Sequence, residues 1–282
     1  MKKLIVAIAV IAVFTAAHLF AAEISDIMPV LKAAKQSIDS TLAEIGKDMK
    51  AAAKELSATD LKGDAARKIL NNLRKFRPYV VDCSIIDANG LKITVEPAEY
   101  KDQEGKDRSD LPSVIKVLKT EKPVMSDVYH ASEGMHAVSI GYPIISDKGE
   151  LLGAVRMLIR YEVFLKPLVD GRPCKIWVMQ KNGIIVYDDN SDEITLNIFS
   201  DPMYKSFEDL VSFARTVSMA RSGAGSYNFY ANAAAADKTV VQKIAAWDTA
   251  GIYGEEWRVI AMEIAQTPEP AQPSSAPAGA KK

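Results

Sequence analysis

Two segments of the chain share one pattern, which constrains the fold more than any other feature. "CSIIDANGLKITV" (Cys83–Val95) and "IWVMQKNGIIVYD" (Ile176–Asp188) each place Asn-Gly between two apolar runs. Asn-Gly favours the tight turn of a β-hairpin because both residues tolerate positive φ. One chain that makes the same hairpin twice is predicted to contain two copies of a small antiparallel sheet.

The elements that follow each hairpin also repeat in order. In the first copy, strands are predicted at Val80–Ile86, Leu91–Val95, Met135–Ile145 and Leu151–Tyr161, with a helix at Leu111–Leu118 and a connector helix or strap at Tyr161–Leu168. In the second copy, strands are predicted at 175–179, 184–188, 225–230, 238–247 and 256–263, with a helical insert at 197–217. The order predicts a tandem duplication of one mixed α+β unit.

A long amphipathic helix is predicted before the first sheet. Between residues 24 and 56 the apolar positions recur every three or four residues: Ile27, Leu31, Ala34, Ile38, Leu42, Ile45, Met49, Ala52 and Leu56. This spacing places them on one helical face. A second helix is predicted from an N-cap at Thr59-Asp60 until Pro78 stops it.

The first 22 residues have the composition of an export signal. Lys2 and Lys3 precede an apolar stretch rich in small residues, which ends before Glu23. The stretch is nearly long enough to cross a bilayer as a helix, so an uncleaved N-terminal anchor is the alternative to a cleaved signal. Either version predicts a protein that works outside the cytoplasm, in the periplasm or tethered to the inner membrane.

Composition excludes several classes of function. The net charge of −1 provides no large positive field, so nucleic acid is not expected as a partner. Cys83 and Cys174 allow one disulfide in an oxidising compartment, but both lie in or beside strand-like runs, which favours buried free thiols. Residues 266–282 are rich in Pro, Ala, Ser and Gln and are predicted to be a disordered tail.

No constellation in the sequence predicts an enzyme or a metal site. His130, Glu133 and His136 have a ligand-like spacing, but Ser132 and Gly134 indicate a turn rather than the helix that this spacing needs. The aromatic residues of the second copy are expected to fill its core; the alternative is a second ligand pocket. Without a positioned nucleophile, acid–base pair or metal, we expect no catalysis and no cofactor.

The order of elements resembles the double Cache family, the extracytoplasmic sensor modules of chemoreceptors and histidine kinases. The most family-like segment is "VSIGYPIISDKGELLGAVRMLIRYEVF" (138–164), and "LNIFSDPMYKSFEDL" and "AAWDTAGIYGEEWRVIAM" resemble the membrane-proximal half. The resemblance implies a long N-terminal helix followed by two PAS-like antiparallel-sheet modules. The expected divisions are a signal or anchor at 1–22, helices at 23–77, a membrane-distal module at 78–168, a membrane-proximal module at 169–265 and the tail at 266–282.

The resemblance also implies a small-molecule pocket in the first module, between the sheet and the helical insert. The expected walls are 108–129, Met135–Tyr142 and Gly153–Tyr161. Tyr129 matches a Tyr of the amino-acid-sensing members, whereas Ser113 and Leu158 stand where those members carry an aromatic residue and an Asp. This departure argues against an α-amino acid, because nothing is left to pair with its ammonium group.

Arg156 is the residue that suggests another ligand class. It lies two residues before Leu158 on one predicted strand, so both face the same side of the sheet. A guanidinium in a small pocket binds a carboxylate through two parallel hydrogen bonds. We therefore expect a small organic anion held by Arg156, with Tyr129 and His136 assisting. The alternatives are an ion pair of Arg156 with Asp110 or Glu162, or an outward-facing side chain.

The predicted function is that of an extracytoplasmic sensor or binding protein. The sequence after Ile264 predicts neither a second membrane span nor an output region, so we expect the signal to pass to a separate membrane receptor or kinase. Pairing of two copies through the long helix is also possible on this pattern. The alternative function is an envelope interaction or scaffold protein with a degenerate, ligand-free Cache fold.

Overall fold

The computed structural model describes residues 2–233 and 238–265, with side chains from Phe20 onward. Helix α1 (Lys2–Leu56) is longer than its predicted amphipathic part. All nine apolar residues predicted to share its inner face are buried, which confirms the helical period. The predicted signal or anchor falls mostly on residues whose side chains lie outside the described part, and the predicted tail lies outside it altogether.

Within the part of the chain that the structure describes, no helix combines the length and the apolar character needed to cross a bilayer. Helix α2 (Asp64–Arg74) starts later than predicted, with Gly63 as its N-cap. The prediction of Thr59-Asp60 as the cap is wrong because both side chains serve the preceding turn. The Thr59 hydroxyl donates to the Leu56 carbonyl at 3.1 Å, and Asp60 Oδ1 accepts the Lys62 N–H at 3.0 Å.

The first sheet contains six strands: β1 (Val80–Asp87), β2 (Lys92–Glu96), β3 (Val124–Met125), β4 (Tyr129–His130), β5 (His136–Ile145) and β6 (Leu151–Ile159). Their order is β2-β1-β6-β5-β3, with β4 paired to the outer part of β5. Helix α3 (Pro112–Thr120) lies between β2 and β3 in the chain and packs on the sheet. The two short strands β3 and β4 are absent from the sequence-based prediction.

The second sheet repeats this plan. Helix α4 (Tyr161–Val169) leads to β7 (Lys175–Gln180), β8 (Ile185–Tyr187), helix α5 (Glu208–Met219), β9 (Gly223–Tyr230), β10 (Val240–Ile252) and β11 (Glu255–Ile264). The order β8-β7-β11-β10-β9 places the last strand beside the first hairpin, as in the first sheet. The predicted α+β fold of a long helix followed by two antiparallel-sheet modules is confirmed.

Helix α1 packs against one face of both sheets and joins them into one core. Its buried residues form a single cluster with Val155 and Met157 of β6 and with Val259 and Ala261 of β11. Side chains alternate along a strand, so the neighbours of these residues point to the opposite face of each sheet. The opposite face of each sheet, turned away from α1, is therefore free of this helix.

Gly153 fixes the register that positions β6. Its φ is +145°, and an added Cβ would lie 2.0 Å from the carbonyl oxygen of Ile86 on β1. No other residue type fits so close to the neighbouring backbone. The resulting register pairs Ser84 with Arg156 across β1 and β6.

The two modules also contact each other directly. The buried Gln180 of β7 accepts the Val128 N–H at 3.1 Å and donates to Glu255 at 2.8 Å. The rings of Tyr142 and Tyr253 meet edge to face with their centroids 6.3 Å apart. Gln180 thus links the β3–β4 segment of the first sheet to β11 of the second.

We expect α1 to be the main source of stability. Ile38→Ala, at a fully buried position, should lower the free energy of unfolding by about 2–5 kcal/mol because it leaves a cavity between α1 and the sheets. Gln36→Ala, on the exposed face, is the matched control and should change it by less than about 0.5 kcal/mol. Denaturant unfolding followed by circular dichroism measures both; similar losses would contradict this role for the helix.

Candidate functional site

The face of the first sheet turned away from α1 carries polar side chains at its centre. Asp82 and Ser84 come from β1, Ser139 from β5, and Arg156 and Leu158 from β6. The alternate residues of the same strands face α1 and are apolar. Period-two alternation therefore sends one set of side chains into the core and the other into a small cavity.

This cavity has a volume of about 50 Å³. The sheet forms its floor, and the segment before α3 together with the β4–β5 turn forms its roof. Its walls consist of Asp82, Ser84, Lys92, Arg108, Leu111, Tyr129, His130, Ser132, Glu133, Ser139, Arg156 and Leu158.

Arg156 is the central group of the cavity. It is only 5% exposed, and its Nη2 donates to Ser139 Oγ at 3.0 Å and to Tyr129 Oη at 3.2 Å. Among the described residues no carboxylate lies within 4 Å of the guanidinium. The guanidinium charge is therefore buried beside neutral hydroxyls, with N–H donors to spare.

The two acids of the cavity, Asp82 and Glu133, lie beside Lys92 rather than beside Arg156. Lys92 is 3% exposed; its Nζ lies 3.0 Å from Glu133 Oε1 and 3.8 Å from Asp82 Oδ2. Asp82 Oδ2 has no hydrogen-bond partner in the described structure. With the acids ionised, Lys92, Arg108 and Arg156 leave the cavity with one positive charge in excess.

The two carboxyl groups titrate differently. Burial raises the pKa of Asp82 to about 6, Lys92 opposes this rise and Glu133 adds to it. Burial would also raise the pKa of Glu133, but the charge and hydrogen bond of Lys92 outweigh burial and lower it. As the pH falls below neutrality, the first of these two groups to take a proton is therefore Asp82.

The roof is held by a second set of polar contacts. Arg108 Nη2 donates to Ser132 Oγ at 2.6 Å and to Gln103 Oε1 at 3.0 Å. Ser132 precedes Glu133 in the β4–β5 turn, so these bonds tie the turn to the segment before α3. The roof consequently consists of two chain segments joined by side-chain hydrogen bonds.

The structure brings together three of the seven residues predicted for the site. Arg156, Tyr129 and Leu158 all line the cavity, and Arg156 contacts Tyr129 directly. Leu158 packs with Ala131 and Ala137 at its apolar end. The proposed pairing of Arg156 with Glu162 is absent, because Glu162 lies 3.5 Å from Arg160 instead.

The other four predicted residues lie outside the cavity wall. His136 is exposed and faces the ring of His130, which does line the cavity. Tyr142 packs with the core cluster on the α1 side of the sheet. Asp110 is exposed in the loop before α3, and Ser113 is half-buried in its first turn.

Sequence reasoning missed several cavity residues. Asp82 interrupts the apolar run "VVDCSIID" at a position that shares the cavity face, and the same parity would have found Ser84. Lys92 and Glu133 come from a hairpin and a turn whose positions depend on tertiary packing. No local signal indicated that these two would meet.

The described residues contain neither a cluster of metal ligands nor a disulfide. Among the residues described by the structure, no group of three or more His, Cys, Asp or Glu side chains could hold a metal ion. Cys83 and Cys174 are free and buried, as predicted. Cys83 belongs to the core cluster on the α1 side of β1, so it faces away from the cavity.

Comparison with known proteins matches the chain to sensor domains. Residues 40–161 match the family described as HK/GC/chemotaxis protein-like sensor domain. No curated protein matches the chain in sequence. An extracellular ligand binding receptor from Desulfohalobium retbaense has a similar structure, with a TM-score of 0.70 and 25% identity over 84% of this chain; the chain spans only 40% of that receptor chain.

Two chemoreceptor domains share the fold over nearly their whole length. The ligand-binding domain of a Campylobacter jejuni chemoreceptor, in complex with 4-methylisoleucine, has a TM-score of 0.63 at 12% identity and covers 88% of this chain and 92% of its own. The ligand-binding domain of a Pseudomonas aeruginosa amino acid chemoreceptor, in complex with L-Gln, has a TM-score of 0.57 at 12% identity. The match covers 85% of this chain and 90% of that domain. At such low identity these two likenesses show a shared fold alone.

The family match and the repeated architecture agree. The matched residues 40–161 include every strand of the first sheet, which holds the cavity, and the whole-chain likenesses include both modules. The matched family is described as a sensor domain, and the two similar structures as ligand-binding domains of chemoreceptors. Residues 40–161 therefore match a sensor-domain family, and the chain as a whole shares the fold of chemoreceptor ligand-binding domains.

Proposed function

We propose that the chain is an extracytoplasmic sensor whose first module binds a small organic carboxylate through Arg156. The observation that carries this proposal is the buried guanidinium with no carboxylate within ion-pair distance among the described residues. An incoming carboxylate would supply the missing charge and accept the spare N–H donors. The Ser139 and Tyr129 hydroxyls beside Arg156 are free to turn and donate to the same oxygens.

The size of the cavity limits the ligand. An empty apolar cavity of about 150 Å³ accommodates benzene, and this one has about 50 Å³. The ligand should therefore be one of the smallest organic acids, with about two or three carbons. Acetate, propionate, lactate and pyruvate belong to this class.

The charge arrangement disfavours an α-amino acid in this cavity. The two chemoreceptor domains with the same fold carry 4-methylisoleucine and L-Gln. In this chain Asp82 and Glu133 flank Lys92, so a ligand ammonium would have to compete with a buried lysine for them. Removing one partner from a buried ion pair is strongly unfavourable. A carboxylate without an ammonium group avoids that cost.

We further propose that the signal leaves through the contact between the modules. Val128, whose N–H binds Gln180, precedes Tyr129, whose hydroxyl accepts from Arg156. A ligand that displaces Tyr129 would change the backbone position of Val128 and so the Gln180 contact with the second module. Helix α1, packed on both sheets, would carry the change towards a membrane receptor or kinase.

Arg156→Gln should abolish carboxylate binding. We expect affinity to fall about 100-fold, because the variant loses the buried guanidinium that faces the ligand. Arg160→Gln is the matched control, since Arg160 is about half exposed and pairs with Glu162. Isothermal titration with short carboxylates, glycine and alanine measures both variants. Equal binding of a carboxylate by wild type and Arg156→Gln would contradict the proposal, and a wild type that binds none of the carboxylates and neither amino acid would favour the ligand-free scaffold.

Carboxylate affinity should rise as the pH falls from about 7.5 to 5.5. Asp82 is ionised above its pKa of about 6 and repels an anion; below that pKa it is neutral. Removing roughly 1 kcal/mol of repulsion gives about a fivefold gain. Asp82→Asn should bind tightly at both pH values and lose most of the dependence. His130→Gln, at the histidine that also lines the cavity, is the control variant. A dependence that survives in Asp82→Asn would contradict this account.

Gln180→Leu should separate binding from transmission. The variant retains the volume of the side chain but loses its bonds to Val128 and Glu255, so ligand affinity should change less than twofold. Ligand-induced protection from hydrogen exchange in β10 and β11 should disappear. Gln242→Leu, at an exposed position of β10, should retain the protection. Unchanged protection in Gln180→Leu would exclude this route.

A further inference from the structure

The second module also contains a cavity, on the face of its sheet turned away from α1. Its volume is about 70 Å³, and its walls include Trp177, Asp188, Glu193, Tyr227, Phe229 and Lys243. Sequence reasoning favoured a core filled by aromatic side chains here. The aromatic residues are present, but they surround a space that also receives three ionisable groups.

Lys243 is a buried cation without a direct partner. The residue is 5% exposed on β10 and makes no hydrogen bond or ion pair with any described residue. Its Nζ lies 5.3 Å from the centre of the Phe229 ring. Burial lowers the pKa of Lys243 despite the opposing charges of Asp188 and Glu193. An ammonium in this position requires an acceptor that the described residues do not supply.

Trp177 presents a second donor without a well-placed acceptor. The residue is 4% exposed on β7, and its buried Nε1–H makes no hydrogen bond of good geometry in the described structure. It does interact with the Tyr227 hydroxyl: burial raises the pKa of that group, and Trp177 lowers it. Buried polar groups are almost always paired, so such a donor is informative. Lys243 and Trp177 line the same cavity, and neither makes a hydrogen bond of good geometry to a described residue.

The two acids of the cavity, Glu193 and Asp188, differ in the hydrogen-bond donors that they have. Glu193 accepts from the Tyr204 hydroxyl at 3.0 Å and from Asn190 Nδ2 at 3.2 Å. Asp188 accepts only the Asn190 backbone N–H, at 2.8 Å, and no cation of the described structure lies within 4 Å of it. Burial and the nearby charge of Glu193 raise the pKa of Asp188 to about 7. Asp188 is thus an acceptor without a strong donor.

We propose that this second cavity binds a small zwitterion, with its carboxylate on Lys243 and Trp177 and its ammonium group on Asp188. A simple anion would leave Asp188 unpaired, and a simple amine would meet the charge of Lys243. A molecule with both groups satisfies the donors and the acceptor together. The rings of Tyr227 and Phe229 provide the apolar and cation–π contacts for its short carbon chain.

The test uses the full chain and three matched sets of ligands. Glycine, β-alanine and 4-aminobutyrate are the zwitterions, acetate, propionate and butyrate the acids, and ethylamine, propylamine and butylamine the amines. Titration is performed on wild type and on Arg156→Gln, in which the first cavity lacks the guanidinium proposed to bind a carboxylate. A zwitterion should bind both proteins with the same affinity. In Arg156→Gln, the zwitterion should bind at least tenfold more tightly than its matched acid or its matched amine.

Variants then assign the site. Lys243→Met and Asp188→Asn should each weaken zwitterion binding at least tenfold. Lys175→Met and Asp189→Asn are the controls, because these residues form an ion pair at the rim with both side chains about half exposed, and they should change affinity less than twofold. Zwitterion binding should also change the fluorescence of Trp177, and Trp177→Phe should remove that change. This readout covers the case in which a charge variant fails to fold.

Four results would overturn the proposal. The first is the absence of zwitterion binding by wild type at millimolar concentration. The second is binding that Lys243→Met and Asp188→Asn leave unchanged, which would place the ligand elsewhere. The third is equal binding of amines and zwitterions. The fourth concerns Arg156→Gln: if this is the variant that loses zwitterion binding, the ligand lies in the first cavity. If carboxylates fail to bind in the first cavity, the proposed function fails but the test of the second cavity still holds.

Discussion

The cationic guanidinium of Arg156 is 5% exposed, and its hydrogen-bond partners in the described structure are two neutral hydroxyl groups. Burying a charge without a counter-ion is unfavourable, so the surrounding structure must compensate. It does so through a packed sheet whose opposite face is held by α1 and through a register fixed at Gly153. The stability of the α1 core allows the first module to maintain this unsatisfied site.

The two modules show how one fold carries different chemistry. Both sheets have the same strand order and place their cavity on the face away from α1. In the first module, Asp82 and Glu133 lie beside Lys92, and Arg156 has no carboxylate partner among the described residues. In the second, a lysine and an aspartate face one cavity without direct pairing. The two modules thus share a backbone plan but differ in the residues that face the cavity.

Periodicity predicted the parts of the structure that depend on local order. The apolar stripe of α1, both Asn-Gly hairpins and the cavity side of Arg156 followed from periods of 3.6 and two. The two-residue strands β3 and β4 are too short to show a period. Lys92 and Glu133 meet only because a hairpin and a distant turn pack together. Tyr142 lies on the α1 side of the sheet rather than in the cavity, and its ring contacts Tyr253 of the second module.

A crystal structure of the full chain grown with a short carboxylate such as propionate tests the central claim most directly. The account predicts density for a carboxylate in the first cavity, with both of its oxygens within about 3 Å of the Arg156 guanidinium nitrogens. Lys92 should remain beside Asp82 and Glu133. An empty cavity in which Arg156 has turned to pair with Glu133 or Asp82 would contradict it, because the guanidinium would then be satisfied by the protein alone.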